Sequence, residues 1–75
     1  MAKAFVLINT EIKKEEEALK YLQGLPYVKE AYPVYGVYDI VAEVEAASEE
    51  KLKEHVLDMR ESGKIYCTNT LRVIE

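Results

Sequence analysis

The run Tyr27-Val28-Lys29-Glu30-Ala31-Tyr32-Pro33-Val34-Tyr35-Gly36-Val37-Tyr38-Asp39-Ile40-Val41-Ala42-Glu43-Val44-Glu45-Ala46 reads as two strands folded back on each other at a single glycine. Tyr27 to Tyr35 is dense in aromatic and β-branched residues, and Pro33, which has no main-chain N–H to donate, predicts a place at a sheet edge. Gly36 leaves little room for a loop, so a tight turn using the positive φ open to glycine is expected there. From Val37 to Ala46 the residues alternate. Tyr38, Ile40, Ala42, Val44 and Ala46 make one apolar face, while Asp39, Glu43 and Glu45 interrupt the other around Val41.

On the N-terminal side of this hairpin, Ala4-Phe5-Val6-Leu7-Ile8 predicts a strand apolar on both faces. A charge-rich segment from Thr10 or Glu11 follows, with Ala18, Leu19, Leu22 and Leu25 at helical spacing, and Gly24 and Pro26 end that helix. On the C-terminal side, Ser48 is placed to cap a second helix whose apolar stripe is Leu52, Val56 and Met59. Lys51 at the third position rules out a reciprocal capping box. Ser62-Gly63 ends this helix before a last strand from Ile65 to Ile74. The order is βαββαβ in one domain over residues 1–75. It predicts a ferredoxin-like α+β sandwich, with a four-stranded antiparallel sheet and both helices on one face.

The other face of that sheet is bare, and a chain of 75 residues lies near the lower size limit for a self-sufficient core. Leu, Ile, Val and Phe make up more than a quarter of the chain, which excludes disorder as the main state. One cysteine allows no internal disulfide, and one histidine without a Cys/His cluster gives no structural zinc site, so neither metal nor cofactor is expected. A second copy packed on the bare face is the remaining source of burial, and a homodimer is expected. The net charge is −4 and the ten Lys and Arg are scattered, which argues against direct nucleic-acid binding. The apolar N-terminal run is too short for a signal sequence or a membrane span, and a cytoplasmic protein without membrane contact is expected.

The most concentrated site signal is Gly36-Val37-Tyr38-Asp39 together with Thr68-Asn69-Thr70. Alternation groups Tyr66, Thr68, Thr70 and Arg72 against Cys67, Leu71 and Val73, and the expectation is that the threonines and Asp39 point away from the helices. A carboxylate and hydroxyl donors suit a zwitterion, since an ammonium needs an acceptor such as Asp39 and a carboxylate needs donors such as Thr68, Thr70 or main-chain N–H groups near Gly36. The same residues also read as a turn aspartate bonding main chain and two ordinary strand threonines.

The runs Val28-Lys29-Glu30-Ala31, Val34-Tyr35-Gly36-Val37-Tyr38-Asp39-Ile40-Val41 and Thr68-Asn69-Thr70, set in βαββαβ order, resemble the effector-binding domain of the Lrp/AsnC family of feast/famine regulators. The resemblance covers nearly the whole chain. Typical members carry an N-terminal helix-turn-helix before this module, and here the first strand begins at Ala4, so the resemblance is to the stand-alone, SraA-like or RAM-domain proteins. It implies dimerisation through the sheets, assembly of dimers into rings, and an amino-acid effector in clefts between dimers near the hairpin. It further implies Gly36, Val37, Tyr38 and Asp39 as ligand-binding residues, with Thr68 and Thr70 as further contacts. A full-length Lrp/AsnC relative is then a further partner, through which transcription would be modulated indirectly.

Other residues carry less. His55, among Lys51, Glu54 and Asp58 with no nucleophile beside it, reads as a solvated helix residue and not as a catalytic one. Cys67 is expected on the helix-facing side as a small buried thiol. No catalytic residues are expected and the chain does not read as an enzyme. Three other functions compete with an amino-acid-sensing module: an ACT-like sensor, whose glycine-bearing loop has no counterpart in Thr10-Glu11-Ile12-Lys13; a small dimeric α+β-barrel enzyme, which would gather Tyr32, Glu43 or Arg72 in an enclosed cavity; and a structural assembly module without a ligand.

Overall fold

In the computed structural model, which describes residues 1–74, β1 (Ala2–Thr10) is the strand on which the fold is built. Ala4, Val6 and Ile8 are fully buried, whereas Phe5, Leu7 and Asn9 stand on the opposite face. α1 (Glu15–Gln23), β2 (Val28–Pro33), β3 (Ile40–Ala46), α2 (Glu49–Arg60) and β4 (Ile65–Arg72) follow in the expected βαββαβ order. The sheet order is β2-β3-β1-β4 with every neighbouring pair antiparallel, the ferredoxin-like arrangement, and Pro33 lies on an edge strand as expected. The register sets Ile8 opposite Ile40 and Thr68, and Val6 opposite Ala42 and Thr70. The core lies between the sheet and the helices: Ala18 and Leu22 of α1 and Leu52 and Met59 of α2 close over Val6, Ile8, Ile40 and Val44. Ser48 caps α2 from an extended conformation, its hydroxyl accepting the Lys51 N–H at 3.2 Å, which ties one of the helix's unpaired first-turn donors.

Three boundaries differ from the sequence-based expectation. β1 extends to Thr10 and α1 starts only at Glu15, because the Glu11 N–H donates to the Lys64 carbonyl at 3.0 Å and Lys13 then reverses the chain with φ 65. The β2–β3 hairpin does not turn tightly at Gly36. Its strands separate after the Pro33–Ile40 pair, and Val34–Asp39 form a loop closed by the Val34 N–H on the Asp39 carbonyl at 2.9 Å. β4 ends at Arg72, short of Ile74.

The face away from the helices carries Phe5, Leu7, Tyr32, Val41 and Leu71, with ion pairs Lys3–Glu43 at 3.4 Å and Lys29–Glu45 at 3.9 Å toward its margin. Cys67 stands on this face too. It is paired in register with Asn9 and is exposed, so the buried thiol expected from alternation is corrected. Tyr27, just before β2, packs flat on His55 of α2 with ring centroids 4.0 Å apart and 4° between planes, and its hydroxyl donates to Asp58 at 2.7 Å. His55 is thereby half-buried against an aromatic ring, where a solvated helix residue was expected. Burial, and after it the hydrogen bond to Asp58, pushes the Tyr27 phenol well above its ordinary value.

Candidate functional site

The hairpin loop is held from below by one carboxylate. Asp39 Oδ2 accepts the main-chain N–H of Thr10 at 2.9 Å and lies 3.3 Å from the Thr10 hydroxyl, while the Asp39 N–H donates to the Ile8 carbonyl at 2.9 Å. The loop is therefore fastened to the end of β1, the strand beyond its own hairpin. Thr10 is the one buried polar residue of the described chain, and Asp39 satisfies it. Asp39 thus bonds main chain, the second of its two sequence readings, with Oδ1 left as acceptor capacity.

At the loop's crest Gly36 has φ +118, a conformation side chains rarely adopt, and a Cβ built there would meet nothing within 4 Å. The neighbours it throws outward are apolar: Tyr35 is fully exposed and Val37 is 83% exposed. Alternation groups Tyr38 with the core-facing residues of β3. It instead belongs to the loop, and its hydroxyl accepts a hydrogen bond from Asn69 Nδ2 at 3.3 Å, reaching across β1 to β4.

The register corrects the expected direction of the two threonines. Thr68 and Thr70 sit opposite Ile8 and Val6, whose side chains are in the core, so both hydroxyls lie on the helix side of β4 and not on the open face with the loop. Asn69, opposite Leu7, is the residue of the Thr-Asn-Thr run that the loop meets. Alternation alone supplied two possible phases for β4. The irregularity between Asn9 and Thr10, which skips Tyr66 in the pairing with β1, sets the phase. The residues an enclosed enzyme cavity would gather are likewise dispersed: Tyr32 bonds Glu30, and Glu43 pairs with Lys3, both on the open face, whereas Arg72 pairs with Glu49 on the helix side. Among the described residues no cluster of His, Cys, Asp and Glu could hold a metal ion.

The arrangement offers a loop fastened at its base, with exposed apolar side chains at its crest and one amide–phenol pair beside it. The fold that carries it is found in proteins of known structure. The chain superimposes on FFRP-DM1 with a TM-score of 0.94 and 37% identity, over 99% of this chain and 100% of that one. Escherichia coli AsnC gives a TM-score of 0.91 at 29% identity, with 99% of this chain covering 51% of AsnC, so the chain corresponds to about half of that protein. A Neisseria meningitidis transcriptional regulator solved as an L-Met complex shares the fold, with a TM-score of 0.85, 17% identity, and 99% of this chain on 50% of that one. No curated protein matches the sequence at a significant level. The sequence model of the Lrp/AsnC ligand binding domain matches residues 3–75, and the chain belongs to that family.

Proposed function

We propose that this chain is an amino-acid-binding regulatory module whose ligand is held at the hairpin loop, by main-chain groups of Gly36 and Val37, by Tyr38 and the remaining oxygen of Asp39, and by Asn69. The single observation that carries this reading is the loop itself. Its crest is exposed and apolar, yet its base is locked to β1 by the Asp39–Thr10 bond and its flank to β4 by the Asn69–Tyr38 bond. A loop fixed by side-chain bonds on both sides is pre-organised, so a ligand that needs its main-chain donors meets them without an ordering cost. Membership of a ligand-binding family supports the reading, as do relatives that are transcription regulators, one of them solved with L-Met.

The module acts without catalysing a reaction. Its open sheet face, with Phe5, Leu7, Val41 and Leu71 at the centre, pairs with a second copy in a homodimer, and such dimers assemble further into rings, with a DNA-binding relative of the family as the route to transcription. A route to transcription through such a relative places the module in the cytoplasm; no helix of the described chain is long and apolar enough to cross a membrane.

The test is a thermal-shift screen of the twenty amino acids, repeated with Asn69→Ala. One or a few amino acids raise the melting temperature of the wild type, and Asn69→Ala, an exposed substitution, keeps the unliganded melting temperature and loses the shift. A screen with no response favours a purely structural assembly module.

A further inference from the structure

Thr70, which the register turns away from the hairpin, does not face solvent alone. Thr70 borders a groove of about 340 Å³ between β4 and α2, floored by Leu52 and Val56 and walled by Leu57, which is 56% exposed. β4 is an edge strand, and α2 leaves the helix side of its C-terminal half uncovered. At one end of the groove Arg72 Nη1 is paired with Glu49 Oε1, and Lys53, which makes no ion pair among the described residues, stands on its rim.

From this juxtaposition we infer a second ligand site: the β4–α2 groove takes a free amino acid with an aliphatic side chain, the carboxylate on Arg72 and the ammonium on Glu49. The inference rests on the amino-acid reading of the hairpin but uses none of its residues. Small-molecule sites begin near this volume, are lined mostly by apolar side chains and fix orientation with few polar groups. The lining here has that character, and its polar groups are an adjacent cation and anion. A fatty acid would use only the cation and an alkylamine only the anion. A zwitterion, with both charges on one carbon, answers the pair as it stands, while its side chain lies on Leu52, Val56 and Leu57. Arg72 and Glu49 are both more than half exposed, so their own ion pair contributes little and parts readily for a ligand that replaces both contacts. Lys53 adds a second cation near the carboxylate, and the Thr70 hydroxyl can donate to it.

The experiment is an amide-resolved NMR titration of the whole chain with L-leucine, and in parallel with L-leucinamide, which lacks the carboxylate, and 4-methylpentanoate, which lacks the ammonium. L-Leucine is expected to move the amide signals of Leu52, Val56, Leu57 and Thr70. Each analogue should bind about tenfold more weakly or worse, as should L-leucine to Arg72→Gln, since one charge-assisted contact is lost in each case. Arg72 is exposed, so the unliganded spectrum of that variant reports whether the fold is kept. Shifts confined to Gly36–Asp39 and Asn69 would overturn the groove site and leave the hairpin reading standing, and no shift anywhere with L-leucine would overturn the groove site, the hairpin reading then being decided by the screen of twenty amino acids. Equal binding of L-leucine and 4-methylpentanoate would also overturn the groove site. So would groove signals that follow protein concentration and ignore L-leucine, because a second copy would then occupy the groove.

Discussion

The carboxylate of Asp39 and the main-chain N–H of Thr10 are joined at 2.9 Å across 29 positions of sequence, and this bond holds the hairpin loop against the central strand of the fold. β1 pairs with both β3 and β4, so whatever Asp39 anchors is anchored to the whole sheet. The loop's geometry is thus a property of the core as much as of the hairpin. The position of the loop crest and the integrity of the sheet are linked through one side chain.

Removing that side chain strands a donor. Asp39→Ala leaves the Thr10 N–H and hydroxyl without their acceptor in a buried setting, and the expected loss is about 1–3 kcal/mol of unfolding free energy. Asp39→Asn, which keeps a neutral acceptor, should lose less. Urea unfolding of the three proteins checks the order wild type, Asn, Ala.

Gly36 and Gly24 should respond oppositely to alanine. At Gly36 no atom obstructs a Cβ, so the whole penalty is conformational, about 1–3 kcal/mol for a non-glycine residue held at φ +118. Gly24, at the end of α1, has φ −88 and its Cβ would sit at ordinary contact distance, 3.6 Å from the Lys20 and Tyr21 carbonyls. Alanine there stabilises by about 0.4–1 kcal/mol through the unfolded chain. Thermal unfolding of both variants reads the difference.

Adjacent residues of β1 separate folding from assembly. Val6 is fully buried under the helices, and Val6→Asp should yield no folded protein. Leu7 points to the open face, and Leu7→Asp should keep its circular dichroism spectrum while sedimenting as a monomer. A Leu7→Asp protein that remains dimeric would place the dimer contact elsewhere.

Alkaline pH acts on Tyr27. Its phenol is protonated more tightly in the folded chain than in the unfolded one, first because burial disfavours the phenolate and second because the hydroxyl donates to Asp58. Between the unfolded and folded pKa values the folded state holds the extra proton. The contribution is therefore complete below about pH 10 and is lost as pH rises above it. Tyr27→Phe should lower stability at neutral pH by about 0.5–1.5 kcal/mol for the lost hydrogen bond, and flatten the alkaline fall. Melting temperatures from pH 7 to the alkaline limit of both proteins test this.

The element order and the core residues were legible in the sequence because alternation on β3 and the helical stripe of α2 each have one consistent phase. β4 does not. Its Thr-Asn-Thr run is polar in both phases, and only its pairing with β1, through the irregularity that skips Tyr66, decides that Asn69 and not Thr68 or Thr70 meets Tyr38. The motif around Gly36 and Asp39 falls in the loop Val34–Asp39. That Asp39 spends one oxygen on Thr10 follows from where β1 ends, and a charged turn between Glu11 and Lys14 conceals that end. The same phase puts Cys67 on the open face, exposed, where simple alternation predicts a buried thiol.

The central claim is that an amino acid engages the loop Val34–Asp39 and Asn69. Amide hydrogen exchange, followed residue by residue with and without the best amino acid from the thermal screen, addresses it most directly. The account predicts slowed exchange at Gly36, Val37, Tyr38 and Asn69, with the core amides of Val6 and Ile8 slowed only by the overall gain in stability. Saturating amino acid that leaves Gly36–Tyr38 and Asn69 exchanging as before would contradict it.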